Sequence, residues 1–378
     1  MSPKPRDRGR ALPRAPHDSG ALRALSAEGV ALWLDGVSRR HLLDGTLRAW
    51  VRGGLVSGAV LSLAAMTDEL RRAGTSYQPQ VDALARAGWR PERIGRELLR
   101  TDARWACRVL APVHARAGGL DGWVRTDGAD GSVSEALGLA ADVGRRNLLV
   151  DVAATRSGLD VLRVCAREGV GTSATRVCSE ERFAEVLDAH LSGLEDAVRE
   201  GRDPARSVCV PCVAVGEVDA AVDDALARAA ERHPVPGLAG LALARAVHGH
   251  LDRRLGGERW RALRSAGALP HRIAWHTSTP AQVREIVGWR TAHVVSAETA
   301  VGTALGPVPL GDSLASRTPD VRRDLNALRR HGVHLGCLAE TLTRHAQRAH
   351  DRERAAFLAA VRDRMPRRQA RPSVTPRR

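Results

Sequence analysis

The sequence predicts an α/β fold, a parallel (β/α)8 TIM-type barrel with extra C-terminal helices, and three observations carry that prediction. Short apolar runs alternate with longer amphipathic stretches along the whole body of the chain, the pattern of βα units in a parallel sheet. No long linker interrupts the alternation, so one domain is expected over 21–365 of the 378 residues. The apolar runs number eight, which is the count that closes such a barrel.

In chain order the strands are expected at 30–35, 57–63, 122–127 and 147–153, then at 170–177, 207–215, 271–277 and 292–297. Between them, apolar residues recur at three- and four-residue spacing over 79–110, 133–144, 157–167, 180–200, 217–231 and 237–264. In 180–200, for example, Phe183, Val186, Leu187, His190, Leu191 and Leu194 form one stripe. Two further helices, at about 318–331 and 335–364, end the body with no strand after them. Aromatic residues are only 3% of the chain, so its core is expected to be built from Ala, Val and Leu.

Composition narrows the function classes. The net charge of +15 is concentrated at the ends: 1–20 carries +3 and 362–378 carries +6. Such Pro- and Arg-rich ends read as solvated, disordered tails, over 1–20 and 366–378. With the charge concentrated there, nucleic acid is not the expected partner. The longest nearly uncharged stretch, 54–66, is far short of the roughly 20 residues that span a bilayer. The first 20 residues hold no apolar core of a signal peptide. A cytoplasmic protein without membrane contact is therefore expected. Lys4 is the only lysine, so nothing in the folded body can form a lysine Schiff base.

A TIM barrel places its chemistry on inward-pointing residues at the C-terminal ends of its strands. Because side chains alternate along a strand, Leu149, Asp151 and Ala153 share one face of the fourth strand, and Asp151 is expected on the barrel side. Asp35 closes the first strand and Asp127 the third. These three aspartates form the candidate catalytic set.

Several motifs resemble bacterial transaldolases. Trp33-Leu34-Asp35-Gly36-Val37-Ser38-Arg39 is similar to their "WLDxxSR" opening, and Asp121-Gly122-Trp123-Val124 to their third-strand "DGxVS". Residues 147–159 resemble the "NLxxKxPATxxGL" signature, 181–195 the helix after the fifth strand, and Trp275 with its neighbours a late "WAST" strand. The resemblance runs in order from about 28 to 365.

The resemblance implies transfer of a three-carbon dihydroxyacetone unit between sugar phosphates in the pentose phosphate pathway, through a Schiff base on a fourth-strand lysine. It places Asp151 at that lysine's position, Asp35 at the first-strand aspartate and Asp127 at the third-strand glutamate. On the fifth strand it keeps the threonine as Thr175 and puts Ser173 at an asparagine. The second-strand "TTNP" reads Val60-Leu61-Ser62-Leu63, and the sixth-strand "SFFVSR", with its phosphate-binding arginine, reads Val210-Pro211-Cys212-Val213-Ala214-Val215. The resemblance also puts His276 beside the substrate pocket. Since an aspartate cannot form an imine, the resemblance implies a relative without Schiff-base activity.

Two readings stay open. In one, the barrel is a pseudoenzyme that binds a small polar, sugar-like ligand or a protein partner through Asp35, Asp127, Asp151, Ser173, Thr175 and His276. In the other it is a repurposed sugar or sugar-phosphate enzyme. There Asp35, Asp127 and Asp151 would hold a divalent cation through hard oxygen ligands, and His276 would serve as acid or base. Asp151 paired with a nearby arginine is the structural alternative. Cys209 and Cys212 have CxxC spacing, but residues three apart on a strand face opposite ways. No zinc site or cofactor is therefore expected, and unpaired thiols fit a reducing compartment.

Overall fold

The computed structural model describes residues 20–126, 131–228, 238–307, 311–314 and 335–366, with a few positions from 323 to 330. Eight parallel strands form one sheet: β1 (Val30–Val37), β2 (Gly58–Leu61), β3 (Val124–Thr126), β4 (Leu148–Ala153), β5 (Thr172–Thr175), β6 (Cys212–Val213), β7 (Ile273–His276) and β8 (Thr291–Val295). Their order, β5-β4-β3-β2-β1-β8-β7-β6, leaves β5 and β6 at the two ends. Parallel bridges join these ends at Thr172–Cys209 and Val177–Val213. Four backbone bonds do the work, among them Thr172 N–H to Val208 O at 2.8 Å and Ala214 N–H to Val177 O at 3.0 Å. The sheet closes on itself, and the fold is a (β/α)8 barrel.

All eight expected strands are present, most of them shorter than the apolar runs that announced them. The sixth is cut to two residues, preceded by Pro211, which has no N–H to give to a ladder. The stretch 79–110 is two helices, Gln78–Arg86 and Pro91–Arg116, with Pro91 opening the second. Gly256 and Gly257 likewise divide 237–264 into Leu238–Leu255 and Glu258–Ser265. The helix Leu335–Arg364 has the expected bounds. Most of the expected 318–331 helix, and nearly all of both tails, lie outside the described residues.

Burial divides into layers. Leu32, Leu34, Leu61, Val124, Val150, Val152 and Val213 point outward and pack against the helices. Inside the barrel lie Ala31, Trp33, Val60, Trp123, Leu149, Val208, Val210, Cys212, Ala274, Ala292 and Val294. Trp33 fills much of this interior. It lies so close to Gly58 that a Cβ there would sit 2.4 Å from the indole, and its Nε1–H donates to Asp121 Oδ1 at 3.1 Å. The two cysteines of the CxxC separate as strand alternation requires, Cys212 facing in and Cys209 out.

Serine and threonine side chains cap the helices that follow the strands. Ser62, Thr155, Ser179, Thr279 and Ser296 each accept from a backbone N–H three residues on, a contact worth about 1 kcal/mol. A buried polar cluster supports the outer wall. Arg39 Nε–H donates to Asp102 Oδ1 at 2.7 Å, and the Tyr77 hydroxyl to Asp102 Oδ2 at 2.6 Å. The helix Leu335–Arg364 buries Phe357 and Val361 against Ile94 and Leu98. At its far end Arg364 donates to the carbonyls of Leu70 and Arg72. No helix among the described residues is long and apolar enough to cross a membrane.

Candidate functional site

The signature around 147–159 is a strand followed by a tight turn. Asp151 sits on β4 next to Ser173 of β5 in the parallel register, and Ala153 next to Thr175. The chain then turns at once into the helix Arg156–Arg167, with the Thr155 hydroxyl accepting from Gly158 N–H at 3.1 Å. Only glycine fits at 158, because a Cβ would lie 1.9 Å from the Ala153 carbonyl oxygen. The turn fixes Asp151 on the inner face, one alternation above Leu149.

The partner of Asp151 is Arg125 of β3, which the motif reading passed over. Arg125 Nε–H donates to Asp151 Oδ1 and Nη2–H to Oδ2, both at 2.9 Å, while Nη1–H reaches Cys212 Sγ at 3.2 Å. The two charged side chains are 8% and 9% exposed. This is a buried, bidentate ion pair of the strong kind. Burial opposes the guanidinium charge, but the Asp151 carboxylate outweighs it and holds Arg125 above the ordinary arginine range, with Cys212 and Asp35 adding to the effect. Burial raises the Cys212 thiol, against the pull of Arg125. A thiol held neutral in this way is a poor nucleophile. Alternation could have revealed Arg125: it lies two residues beyond Trp123, on the same inner face.

The other expected residues surround this pair unevenly. Asp35 follows Ala31 and Trp33 on the inner face of β1, close enough to act on Arg125. Beside it the register with β2 shifts between Leu34 and Val37, where Gly36 adopts φ +78°, a conformation that favours glycine. The Ser173 hydroxyl is buried and has no hydrogen-bond partner among the described residues. Thr175 Oγ1–H turns instead to the Val152 carbonyl at 3.4 Å. His276, at the end of β7, has its Nδ1 3.6 Å from Glu217 Oε1, both side chains about one-third exposed. Glu217, in the first turn of the helix Val215–Arg228, is a second residue that the motifs did not mark. Asp127 lies outside the described residues. Among the described residues no three His, Cys, Asp or Glu side chains gather as a metal site.

Arg176 follows β5 with φ +59°, an uncommon conformation for a non-glycine residue. Its Nη1–H donates to the Ala346 carbonyl at 2.6 Å, tying the C-terminal helix to this end of the barrel.

Comparison with known proteins agrees with this architecture. The family model for transaldolase and fructose-6-phosphate aldolase matches residues 32–300. The chain belongs to that family. It is 31% identical over 338 residues to the transaldolase of Thermobifida fusca (strain YX), covering 85% of this chain and 92% of that one. Its identity to the transaldolase of Arthrobacter sp. (strain FB24) is 32% over 330 residues, 82% and 88% of the two chains. The matched region runs from within β1 to beyond the end of β8, so the relationship extends over the barrel.

Proposed function

We propose that this member of the transaldolase family does not carry out Schiff-base transfer of a dihydroxyacetone unit and instead binds a small polar ligand at the C-terminal mouth of its barrel. The observation that carries the reading is the Arg125–Asp151 pair. At the place where the resemblance puts a nucleophilic amine, a carboxylate receives both arms of a buried guanidinium. A Schiff base needs a primary amine with an available lone pair. The only lysine of the chain is Lys4, far from the barrel strands in sequence. Removing a covalent nucleophile typically lowers turnover by about 10⁶-fold.

The test is trapping. Purified protein is incubated with fructose 6-phosphate and borohydride, and its intact mass is measured beside a coupled assay with erythrose 4-phosphate. The expected result is an unchanged mass and no turnover. A covalent three-carbon adduct, or turnover at the rate of an ordinary transaldolase, would overturn the proposal. The same assay with Mg²⁺ or Mn²⁺ addresses the reading in which Asp35, Asp127 and Asp151 hold a cation. Metal-dependent turnover that Asp151→Ala abolishes would favour that reading, which also requires Asp151 to release Arg125.

A further inference from the structure

We infer that the C-terminal helix is built in two parts: an anchor, 357–364, fixed to the side of the barrel, and a releasable strap, 335–354, that crosses the mouth and is latched by Arg176. The inference goes beyond the ligand-binding reading above and does not depend on what the mouth binds.

Two contacts set the course of the helix Leu335–Arg364. Arg176, the residue directly after β5, donates from Nη1–H to the Ala346 carbonyl at 2.6 Å. Further along, Arg354 Nη2 lies 3.7 Å from Glu135 Oε1, in the first turn of the helix Val133–Val143 that follows β3. In the sheet, β4 separates β5 from β3. The helix between 346 and 354 covers about 12 Å, and two strand spacings come to about 10 Å. This segment therefore passes the C-terminal end of β4, the strand that carries Asp151 and Ala153.

The two parts are held differently. Phe357, Ala360 and Val361 are buried among Leu63, Met66, Leu70, Ile94 and Leu98. Phe357 uses the space left by Gly95, where a Cβ would lie 2.9 Å from its ring. Arg364 donates to the Leu70 and Arg72 carbonyls at 2.6 and 2.7 Å, and its own carbonyl accepts from Gln78 Nε2–H at 3.0 Å. Over 335–354, by contrast, the buried side chains among the described residues are the alanines Ala339 and Ala346, with Leu338 and Leu342 partly buried. An alanine has a single methyl to bury, so this part has little of the apolar burial that resists local opening.

Arg176 is suited to hold it. Its φ of +59° is one that glycine adopts at no steric cost and other residues rarely do. What arginine supplies there, and glycine cannot, is the guanidinium that reaches Ala346. A short helical segment freed from its packing is marginal in water, so release of the strap would unwind it and expose its amides.

Hydrogen–deuterium exchange of the full-length protein at pH 7, read by mass spectrometry, separates the two parts. Amides of 338–350 are expected to exchange at least about tenfold faster than those of 357–364. Arg176→Gly suits the backbone and removes the latch. It should speed exchange over 338–350 about tenfold further, leaving 357–364 and the eight strands unchanged. Access to the mouth gives a second readout: iodoacetamide labelling of Ala153→Cys, on the inner face at the end of β4, should quicken severalfold when Arg176→Gly is added. Equal protection along the whole helix, an effect of Arg176→Gly spread through the strands, or no effect on 338–350 or on labelling would overturn the strap. A borohydride-trapped adduct would overturn the reading of the site and leave the strap in place.

Discussion

Removing Arg125 alone should be far more damaging than removing Arg125 and Asp151 together. Arg125→Met keeps most of the side-chain volume but takes from the Asp151 carboxylate, 9% exposed, the guanidinium that binds both its oxygens. Breaking a buried pair from one side costs about 3–5 kcal/mol, whereas replacing both partners by apolar residues of similar size is often neutral or stabilising. Arg125→Met with Asp151→Leu should therefore lie within about 1 kcal/mol of the parent, about 2–4 kcal/mol more stable than Arg125→Met alone. Urea unfolding of the parent, the two single variants and the double variant gives the cycle, read as midpoints at unchanged slope. The single variant carries a second signature. Its stranded carboxylate gains a raised pKa, so its penalty is present when the group is ionised and shrinks as pH falls from 7 towards 5. If Arg125→Met costs less than about 1 kcal/mol, or the double variant falls at the sum of the singles, the pair is not the buried, mutually dependent unit described here.

Three other outcomes follow from the same geometry. His271 and His293 are buried and held neutral, their pKa values lowered to about 4. The unfolded chain binds protons first as pH drops below about 6.5, so stability should be level above that value and fall between 6.5 and 4, by about 2 kcal/mol per histidine at pH 5; thermal midpoints at pH 7.5 and 5 check it, and His293→Gln should flatten the acid limb. Gly158→Ala, which puts a Cβ 1.9 Å from the Ala153 oxygen, should cost at least about 1–3 kcal/mol by unfolding. In the outer-wall cluster, Asp102→Ala strands the buried Arg39 guanidinium and should cost about 3–5 kcal/mol. Tyr77→Phe, which removes only the hydroxyl that donates to Asp102, should cost about 1–2 kcal/mol.

The eight strands were legible because strand formation here is driven by local apolar runs that face helices, and Val124, Val150 and Val152 display that outward face in the sequence itself. Strand ends were less legible. Pro211 shortens β6, and Gly36 shifts the register beside Asp35, effects that depend on which neighbour each backbone group meets. Of the site, Asp151 was found by alternation and placed where expected, on the inner face. An arginine partner for it was one of the alternatives left open, and Arg125 supplies it. Glu217 was invisible for a different reason. It comes from a helix start, so no strand periodicity could aim it, and its proximity to His276 is a product of the tertiary fold.

The Arg125–Asp151 pair also explains why an aspartate can occupy the interior of this barrel at all. A lone carboxylate taken from water into such a place would be expelled or protonated. Here each of its oxygens accepts from a guanidinium whose remaining arm reaches Cys212, and the whole group is nearly sealed from solvent. Catalytic groups must exchange protons or bonds with a substrate, which requires capacity not already committed to neighbours. Arg125, Asp151 and Cys212 are committed to one another, whereas the buried Ser173 hydroxyl just beside them is not. The division on the inner face falls between this mutually satisfied group, which supports the barrel, and the buried Ser173 hydroxyl, which has no hydrogen-bond partner among the described residues.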